Sequence, residues 1–171
     1  MIDFPDEGLA IAGVIGPLKL EDILLGAKKA NRLAPLQVLR ADRVIGADHL
    51  RSAALHAKRA FDEGRNHADR MDVEFARYAA GERQIRKAID KMGVPDGHDA
   101  GVVCAFGPKR RDAVQYFIDW LGLRESDAVI GADEAALRAF GITDAQLAAT
   151  TPAVRMDLIL EAVAAVDLMR K

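Results

Sequence analysis

The segment GVVCAFG, residues Gly101–Gly107, restricts the fold more than any other part of this sequence, because it contains no charged side chain. Successive side chains of a β-strand point to opposite faces of a sheet, so a strand that is apolar throughout has no face suited to water. We therefore predict a central strand here, covered on both faces. Two shorter apolar segments, Leu9–Ile15 before Gly16-Pro17 and Leu36–Leu39 after Pro35, are predicted as further strands.

Apolar residues recur at helical spacing through most of the remaining sequence, which predicts several helices around a small sheet. The expected helices cover approximately residues 20–30, 48–63, 72–80, 82–93, 111–121, 134–140, 144–150 and 152–169. The predicted fold class is therefore α/β, with a small sheet of about three strands covered by about seven or eight helices. A length of 171 residues suits a single domain that spans residues 1–171.

Composition and charge exclude several classes of protein. Half of the residues are hydrophobic and 29% are charged, and no apolar run approaches the roughly 18–20 residues of a transmembrane helix, so we expect neither a disordered chain nor a membrane protein. The acidic start MIDFPDEGLA does not resemble a signal peptide, and a single cysteine fits the reducing cytoplasm. A formal net charge of −2 argues against bulk coating of nucleic acid, but it allows a local basic patch.

Few residues occur in patterns that support catalysis or metal binding. His49 and His56 are seven residues apart on one predicted helix, about 10 Å along its axis, which is too far to share a metal ion. Cys104 lies in the most apolar strand, where a thiol is usually an inert core residue. The turn Gly107–Arg111 suggests a phosphate-binding loop, but it lacks further glycines, so a solvated basic turn is favoured. We therefore expect no metal ion, no cofactor and no enzymatic activity.

The last predicted helix has two apolar stripes. Its core face is predicted from residues that share one broad side at helical spacing: Val154, Leu158, Ile159, Ala162, Val166 and Met169. On the other side Met156, Leu160 and Val163 form a second stripe, beside Asp157 and Glu161. Such a helix is either sandwiched within the core or presents its second stripe to a partner, and methionine suits both environments.

The segment YAAGERQIRKAIDKMGV, from Tyr78 to Val94, places basic residues around a helix start, where the helix dipole disfavours cations. Helical spacing predicts a buried face of Ile85, Ala88, Ile89 and Met92, and an outer face of Arg83, Arg86, Lys87, Asp90 and Lys91. A solvated charged face is one interpretation. The other adds Lys58 and Arg59, because cations of two helices packed side by side form a surface that can hold phosphates.

Residues His49–Val94 resemble a known family. The resemblance is carried by the helix HLRSAALHAKRAF, the helix that contains Glu74, and the segment GERQI followed by Ala88-Ile89 and Met92-Gly93. These features are similar to the central region of the regulatory, kinase-binding subunit of the KEOPS (EKC) complex, the family of the PRPK-binding protein. They cover roughly a quarter of the chain. The sequence departs from the family at Phe75-Ala76-Arg77, where an aliphatic run is usual.

The resemblance implies a non-catalytic regulatory subunit in the cytoplasm. Members of this family dock on a small atypical kinase/ATPase, within a complex that makes threonylcarbamoyladenosine in transfer RNA, and they contact transfer RNA. The kinase is then expected to bind the stripe Met156, Leu160 and Val163. Transfer RNA is expected to bind the cations and the amide of Lys58, Arg59, Arg83, Gln84 and Lys87. The alternative is a small-molecule- or anion-binding α/β domain, or an enzyme, that uses Lys109–Arg111.

Overall fold

The structure is a computed structural model, and it describes residues 1–131 and 134–169. The strands form one antiparallel sheet in the order β1-β2-β4-β3, and β5 pairs with β2 beyond the end of β1. Their bounds are β1 Ile2–Phe4, β2 Leu9–Leu18, β3 Leu36–Arg40, β4 His98–Phe106 and β5 Arg124–Glu125. The predicted α/β class is confirmed, but the expected number of about three strands is too low, because the described residues contain five.

Eight α-helices occur in the described residues, in agreement with the number predicted from the periodicity. They are α1 Leu20–Ala30, α2 Ala47–Asp62, α3 Met71–Ala80, α4 Ile85–Met92, α5 Arg110–Leu121, α6 Glu134–Ala139, α7 Asp144–Ala149 and α8 Pro152–Ala165. Thr151 caps α8 and Pro152 opens it, as predicted. Within the described ranges, none of these helices combines the length and the apolar character needed to cross a bilayer.

Strand β4 lies between β2 and β3, which confirms the prediction of a central strand. Its side chains alternate between two cores: Val102 and Cys104 pack with α2, α3, α4 and α8, whereas Val103 and Ala105 pack with α1 and α5. Antiparallel sheets commonly leave one face to water, but here helices cover both faces. This double coverage explains why the part of β4 from Gly101 to Phe106 has no charged side chain. A smaller third core joins α6 and α7 to α8.

Periodicity does not predict β1 and β5, because strands of three and two residues are too short to show alternation. Contacts between distant parts of the chain hold both in place. The guanidinium of Arg110 donates hydrogen bonds to the two carboxylate oxygens of Asp3 at 2.6 and 2.9 Å. The amino group of Met1 donates to Asp127 at 2.7 Å and also bonds Glu125. These ion pairs fix β1 and β5 along the outer edge of β2.

The chain after β5 crosses closely over β2 at Gly13. The backbone N–H of Ser126 donates to the carbonyl oxygen of Gly13 at 2.7 Å, and the N–H of Gly13 donates to Asp127 at 3.0 Å. A Cβ atom at position 13 would lie only 2.3 Å from the carbonyl oxygen of Ser126. Glycine is therefore required here by the close approach of two backbones.

Helix α3 contains a buried ion pair between Glu74 and Arg77, whose exposed fractions are 0% and 1%. The second carboxylate oxygen of Glu74 accepts the backbone N–H groups of His67 and Ala68 at 3.1 and 2.8 Å. The Nε of Arg77 donates to the carbonyl oxygen of Arg83 at 2.7 Å. One ion pair therefore binds the loop before α3 and the segment after it.

We predict that Arg77→Met lowers the free energy of unfolding by about 3–5 kcal/mol, because Glu74 is then left buried without its cation. The control is Lys58→Met, which removes the exposed pair between Lys58 and Asp62 and is expected to change stability by less than about 1 kcal/mol. Urea denaturation at neutral pH measures both. Losses of similar, small size in the two variants would contradict the structural role of the buried pair.

Candidate binding surfaces

The segment between α3 and α4 is a fixed connection that lies outside both helices. Gly81 ends α3 in the left-handed conformation, with φ of 64°, which glycine adopts without strain. The hydrogen bond from Arg77 to the carbonyl oxygen of Arg83 holds the next residues against α3. Helix α4 then begins at Ile85, three residues later than predicted. Arg83 therefore precedes the helix. It is not a first-turn residue, where the helix dipole would disfavour its positive charge.

The polar residues of this connection and of the first turn of α4 differ in exposure. Gln84, Arg86 and Lys87 are exposed, whereas Arg83 is half-buried. The first turn of α4 contains no acidic residue, so two cations lie beside backbone N–H groups that carry partial positive charge. The start of α4 is therefore a locally positive surface within a chain whose net charge is negative.

The buried face of α4 is narrower than helical spacing predicts. Ala88 and Met92 are completely buried, as predicted. Ile85 and Ile89, however, are 36% and 51% exposed, so their prediction as core residues is wrong. A short helix at the edge of the core contacts its neighbours along one line of side chains, and these two isoleucines lie beside that line.

Lys91 was expected on the outer surface of α4, but its side chain turns inward. Its ammonium group donates a hydrogen bond to the carbonyl oxygen of Ala80 at 2.7 Å and lies 4.0 Å from the ring centroid of Phe140. Burial lowers the pKa of Lys91, and the carboxylate of Glu82, 3.7 Å away, opposes that shift. Lys91 thus fastens α4 to the end of α3 and to the residue that follows α6, so its charge is not displayed to a partner.

Helices α2 and α4 do not form the side-by-side pair on which the larger basic surface depends. Helix α3 packs against α2 on one side and against α4 on the other. Lys58 and Arg59 are exposed on α2, and Lys58 is paired with Asp62 at 2.7 Å. The predicted RNA-binding residues therefore fall into two groups separated by α3, one on α2 and one around Gln84 and Lys87.

Helix α8 forms one wall of a groove. Val163, predicted in the stripe that faces a partner, is completely buried in the core. Met156 and Leu160 of the same stripe are half-buried and face a groove of about 620 Å³ between α2 and α8. The groove is lined by Glu7, Asp48, Arg51, Ser52, Leu55, Ala153, Met156, Asp157 and Leu160. Two of the three predicted residues therefore remain available to a partner.

The predicted core face of the last helix is confirmed only in part. Ile159 and Val166 are buried, but Val154 and Met169 are 43% and 41% exposed. The α-helix also ends at Ala165, earlier than the predicted end near Met169, and continues as a single 3₁₀ turn from Val166 to Leu168. The buried part of α8 is thus concentrated in its second half.

Asp167, in that 3₁₀ turn, joins the end of α8 to three other parts of the fold. Its carboxylate accepts hydrogen bonds from the hydroxyl of Tyr78 at 2.6 Å, from Arg65 at 2.7 Å and from Nδ1 of His56 at 2.7 Å. Burial favours the neutral carboxyl, but these hydrogen bonds outweigh it and hold the pKa of Asp167 below its ordinary value. The junction fixes α8 relative to α2 and α3.

An apolar cavity of about 440 Å³ lies between α1, β3, α3 and α4 and was not predicted. Its lining is mainly aliphatic, with Gln37 and Asp90 as polar members. Leu24 and Ile89 in this lining are 62% and 51% exposed. The only signal in the sequence is the spacing of Leu20 and Leu24, one turn apart on α1, which is equally typical of a buried helix face.

His49 and Cys104, two residues considered for metal binding or catalysis, are completely buried. Nδ1 of His49 accepts the N–H of Ile45 at 3.2 Å and Nε2 donates to the carbonyl oxygen of Ala79 at 2.8 Å, so neither nitrogen is available to a metal. Among the described residues, no cluster of three or more histidine, cysteine or acidic side chains forms a metal site. Cys104 is completely buried, and burial raises the pKa of its thiol.

The candidate anion-binding turn is partly occupied by an internal ion pair. Arg110, the central residue of Lys109–Arg111, donates to both carboxylate oxygens of Asp3 and to the carbonyl oxygen of Gly107. Lys109 and Arg111 are exposed at the start of α5. The arrangement supports a structural role for Arg110 in holding β1 against α5.

Comparison with known proteins assigns no family to this chain. No protein-family model matches it, and no curated protein matches it. Any function must therefore be argued from the surfaces described above and from the resemblance of residues 49–94.

We predict that His49 makes the protein less stable in acid. Burial lowers the pKa of His49 to about 4, whereas a histidine in the unfolded chain titrates near 6.5. The unfolded state therefore binds a proton that the folded state resists, so the free energy of unfolding decreases as the pH falls from about 6.5 to about 4, by up to about 3 kcal/mol. Denaturation of wild type and His49→Gln across this range should show a steeper loss in wild type. Parallel curves would contradict the prediction.

Proposed function

We propose that this protein is a cytoplasmic regulatory adaptor of the KEOPS type. In this role it binds and activates the small atypical kinase/ATPase subunit and helps to recruit transfer RNA for threonylcarbamoyladenosine modification. The groove between α2 and α8 is the observation that carries the proposal, because Met156 and Leu160 remain only half-buried beside a concave surface of about 620 Å³. One wall of this groove is α2, which belongs to the segment that resembles the family.

The composition of the groove supports a protein as its occupant. Leu55, Met156 and Leu160 provide apolar area, while Asp48 and Asp157 are exposed charges in the same lining. Protein interfaces combine buried apolar residues with a polar, solvated rim. Burial of each apolar side chain contributes roughly 1–3 kcal/mol to such an interface.

The position of α8 is fixed before any partner binds. Ile159, Val163 and Val166 are buried, and Asp167 bonds three separate donors. A surface that is already ordered loses little conformational freedom on association, and this favours affinity. The groove therefore suits a stable adaptor interface.

The second surface, around the start of α4, supports the RNA-binding part of the proposal. Arg86 and Lys87 are exposed beside the helix start, and Gln84 is an exposed amide next to them. Cations beside backbone N–H groups are suited to phosphate oxygens. We assign phosphate contacts to Lys87 and Arg83, with a polar contact from Gln84; Lys58 and Arg59 make a separate contact on the far side of α3.

The alternative function, an anion- or small-molecule-binding domain that uses Lys109–Arg111, has weaker support. The central arginine of that turn is held by Asp3. In the described part of the chain, the apolar cavity beside β3 has only Gln37 and Asp90 as polar lining residues, whereas ligand sites usually gather several polar groups that orient the ligand. The adaptor function therefore accounts for more of the described surface.

We predict that Leu160→Asp weakens binding to the KEOPS kinase/ATPase subunit of the same organism by at least about tenfold, because a carboxylate replaces apolar contact area at the interface. The control is Leu24→Asp, which changes a leucine that is 62% exposed and lies outside the groove. Isothermal titration calorimetry measures affinity, and circular dichroism confirms that each variant is folded. Unchanged affinity in folded Leu160→Asp would refute this interface.

We predict that Lys87→Glu weakens transfer-RNA binding. It should also lower the magnitude of the slope of the logarithm of the binding constant against the logarithm of the salt concentration, by an amount that corresponds to about one phosphate contact or more. The matched control is Lys19→Glu, an equal charge change at an exposed residue outside the assigned set. Filter binding at several salt concentrations gives both quantities. Equal slopes for wild type and Lys87→Glu would exclude a phosphate contact at this residue.

A further inference from the structure

The groove between α2 and α8 is acidic as well as apolar. Among the described residues, three carboxylates, Glu7, Asp48 and Asp157, line it together with a single guanidinium, that of Arg51. Asp48 and Asp157 are exposed, one on each helix, and therefore lie on opposite walls. The chain as a whole is nearly balanced in charge, with 24 basic and 26 acidic residues, so the excess of carboxylates is a local property of this groove.

The cation that the described residues contribute to the lining, Arg51, is already paired. The Nε of Arg51 donates to Glu7 at 2.7 Å, and its guanidinium lies 5.7 Å from the ring centroid of Phe4. The carboxylates of Glu7, Asp48 and Asp6 all raise the pKa of Arg51, and the hydrogen bond that Arg51 donates to Glu7 is the main cause. Arg51 therefore neutralises Glu7, and the charges of Asp48 and Asp157 remain for an occupant.

The sign of the charge changes further along α2. Lys58 and Arg59 follow Leu55 by about one turn and are exposed, although Lys58 is paired with Asp62. An occupant that extended past Leu55 with a uniformly basic surface would meet these cations. The negative charge is thus confined to the part of the groove beside Asp48 and Asp157.

We propose that the groove binds an amphipathic helix of a partner protein, with apolar residues against Leu55, Met156 and Leu160 and with lysine or arginine residues against Asp48 and Asp157. Two helices that form the walls of a groove accept a third helix, whose anchors recur at i, i+3, i+4 and i+7. Charge complementarity then selects a basic helix and rejects an acidic one. This inference rests on the proposed function, because it specifies the chemistry of the segment that a kinase partner inserts.

The test uses two synthetic helical peptides of about 20 residues, long enough for appreciable helicity. Both carry leucine at the anchor positions; one carries lysine and the other glutamate at the remaining positions. Fluorescence anisotropy with the full chain should show that the lysine peptide binds at least about tenfold more tightly than the glutamate peptide. Equal binding of the two peptides, or no binding of the lysine peptide, would overturn the inference.

A pair of double variants separates the groove from the net charge of the protein. Asp48→Asn with Asp157→Asn should reduce the preference for the lysine peptide by roughly fivefold or more. Asp99→Asn with Asp112→Asn removes the same charge at exposed residues outside the groove, one of them also in the first turn of a helix, and should leave the preference unchanged. Equal effects of the two double variants would also overturn the inference.

The peptide experiment does not depend on the kinase. Kinase binding that is sensitive to Leu160→Asp, without any peptide preference, would retain the proposed function and reject the basic helix. If the lysine peptide is preferred and the preference requires Asp48 and Asp157, but the kinase does not bind, the inference of a basic helix stands and the kinase is rejected as the source of that helix.

Discussion

The candidate surface at the start of α4 depends on the buried ion pair between Glu74 and Arg77. Burying two charges is unfavourable unless their remaining hydrogen-bonding capacity is also satisfied. Here the loop before α3 supplies two N–H groups to Glu74, and the segment after α3 supplies the carbonyl oxygen of Arg83 to Arg77. The charges are satisfied only when both segments follow this path. The ion pair therefore sets the position of the α4 start, and its cation, Arg77, lies in the segment Phe75-Ala76-Arg77, where the family that residues 49–94 resemble usually has an aliphatic run.

The central part of the fold was predictable because it is encoded locally. A strand that is apolar on both faces has no side suited to water, and this predicts β4 as a central strand. Helical spacing predicts the helices that cover it. The two outer strands were not predictable in the same way. They are too short for alternation, and their positions follow from pairs such as Asp3 with Arg110 and Met1 with Asp127, more than 100 residues apart. No local pattern indicates which distant charge will be the partner.

The surfaces were predictable only to the level of helix faces. Spacing identifies the residues that share one side of a helix, but the coverage of that side depends on neighbouring elements. Ile89 remains exposed because nothing in the described structure covers its side of α4 fully, whereas Lys91 is drawn inward by the ring of Phe140 and the carbonyl oxygen of Ala80. Val163 likewise lies on the predicted partner stripe yet is enclosed by the core. Such differences arise from tertiary packing.

The burial of Cys104 has a practical consequence. The chain has one cysteine, its side chain is completely covered in the central strand, and burial raises the pKa of the thiol, so little reactive thiolate forms at neutral pH. The native protein is therefore unreactive toward maleimide reagents while it is folded. A cysteine introduced at exposed Gln84 or Asp157 then becomes the single labelling site, and a dye or spin label attached there reports separately on each surface without replacement of a core residue.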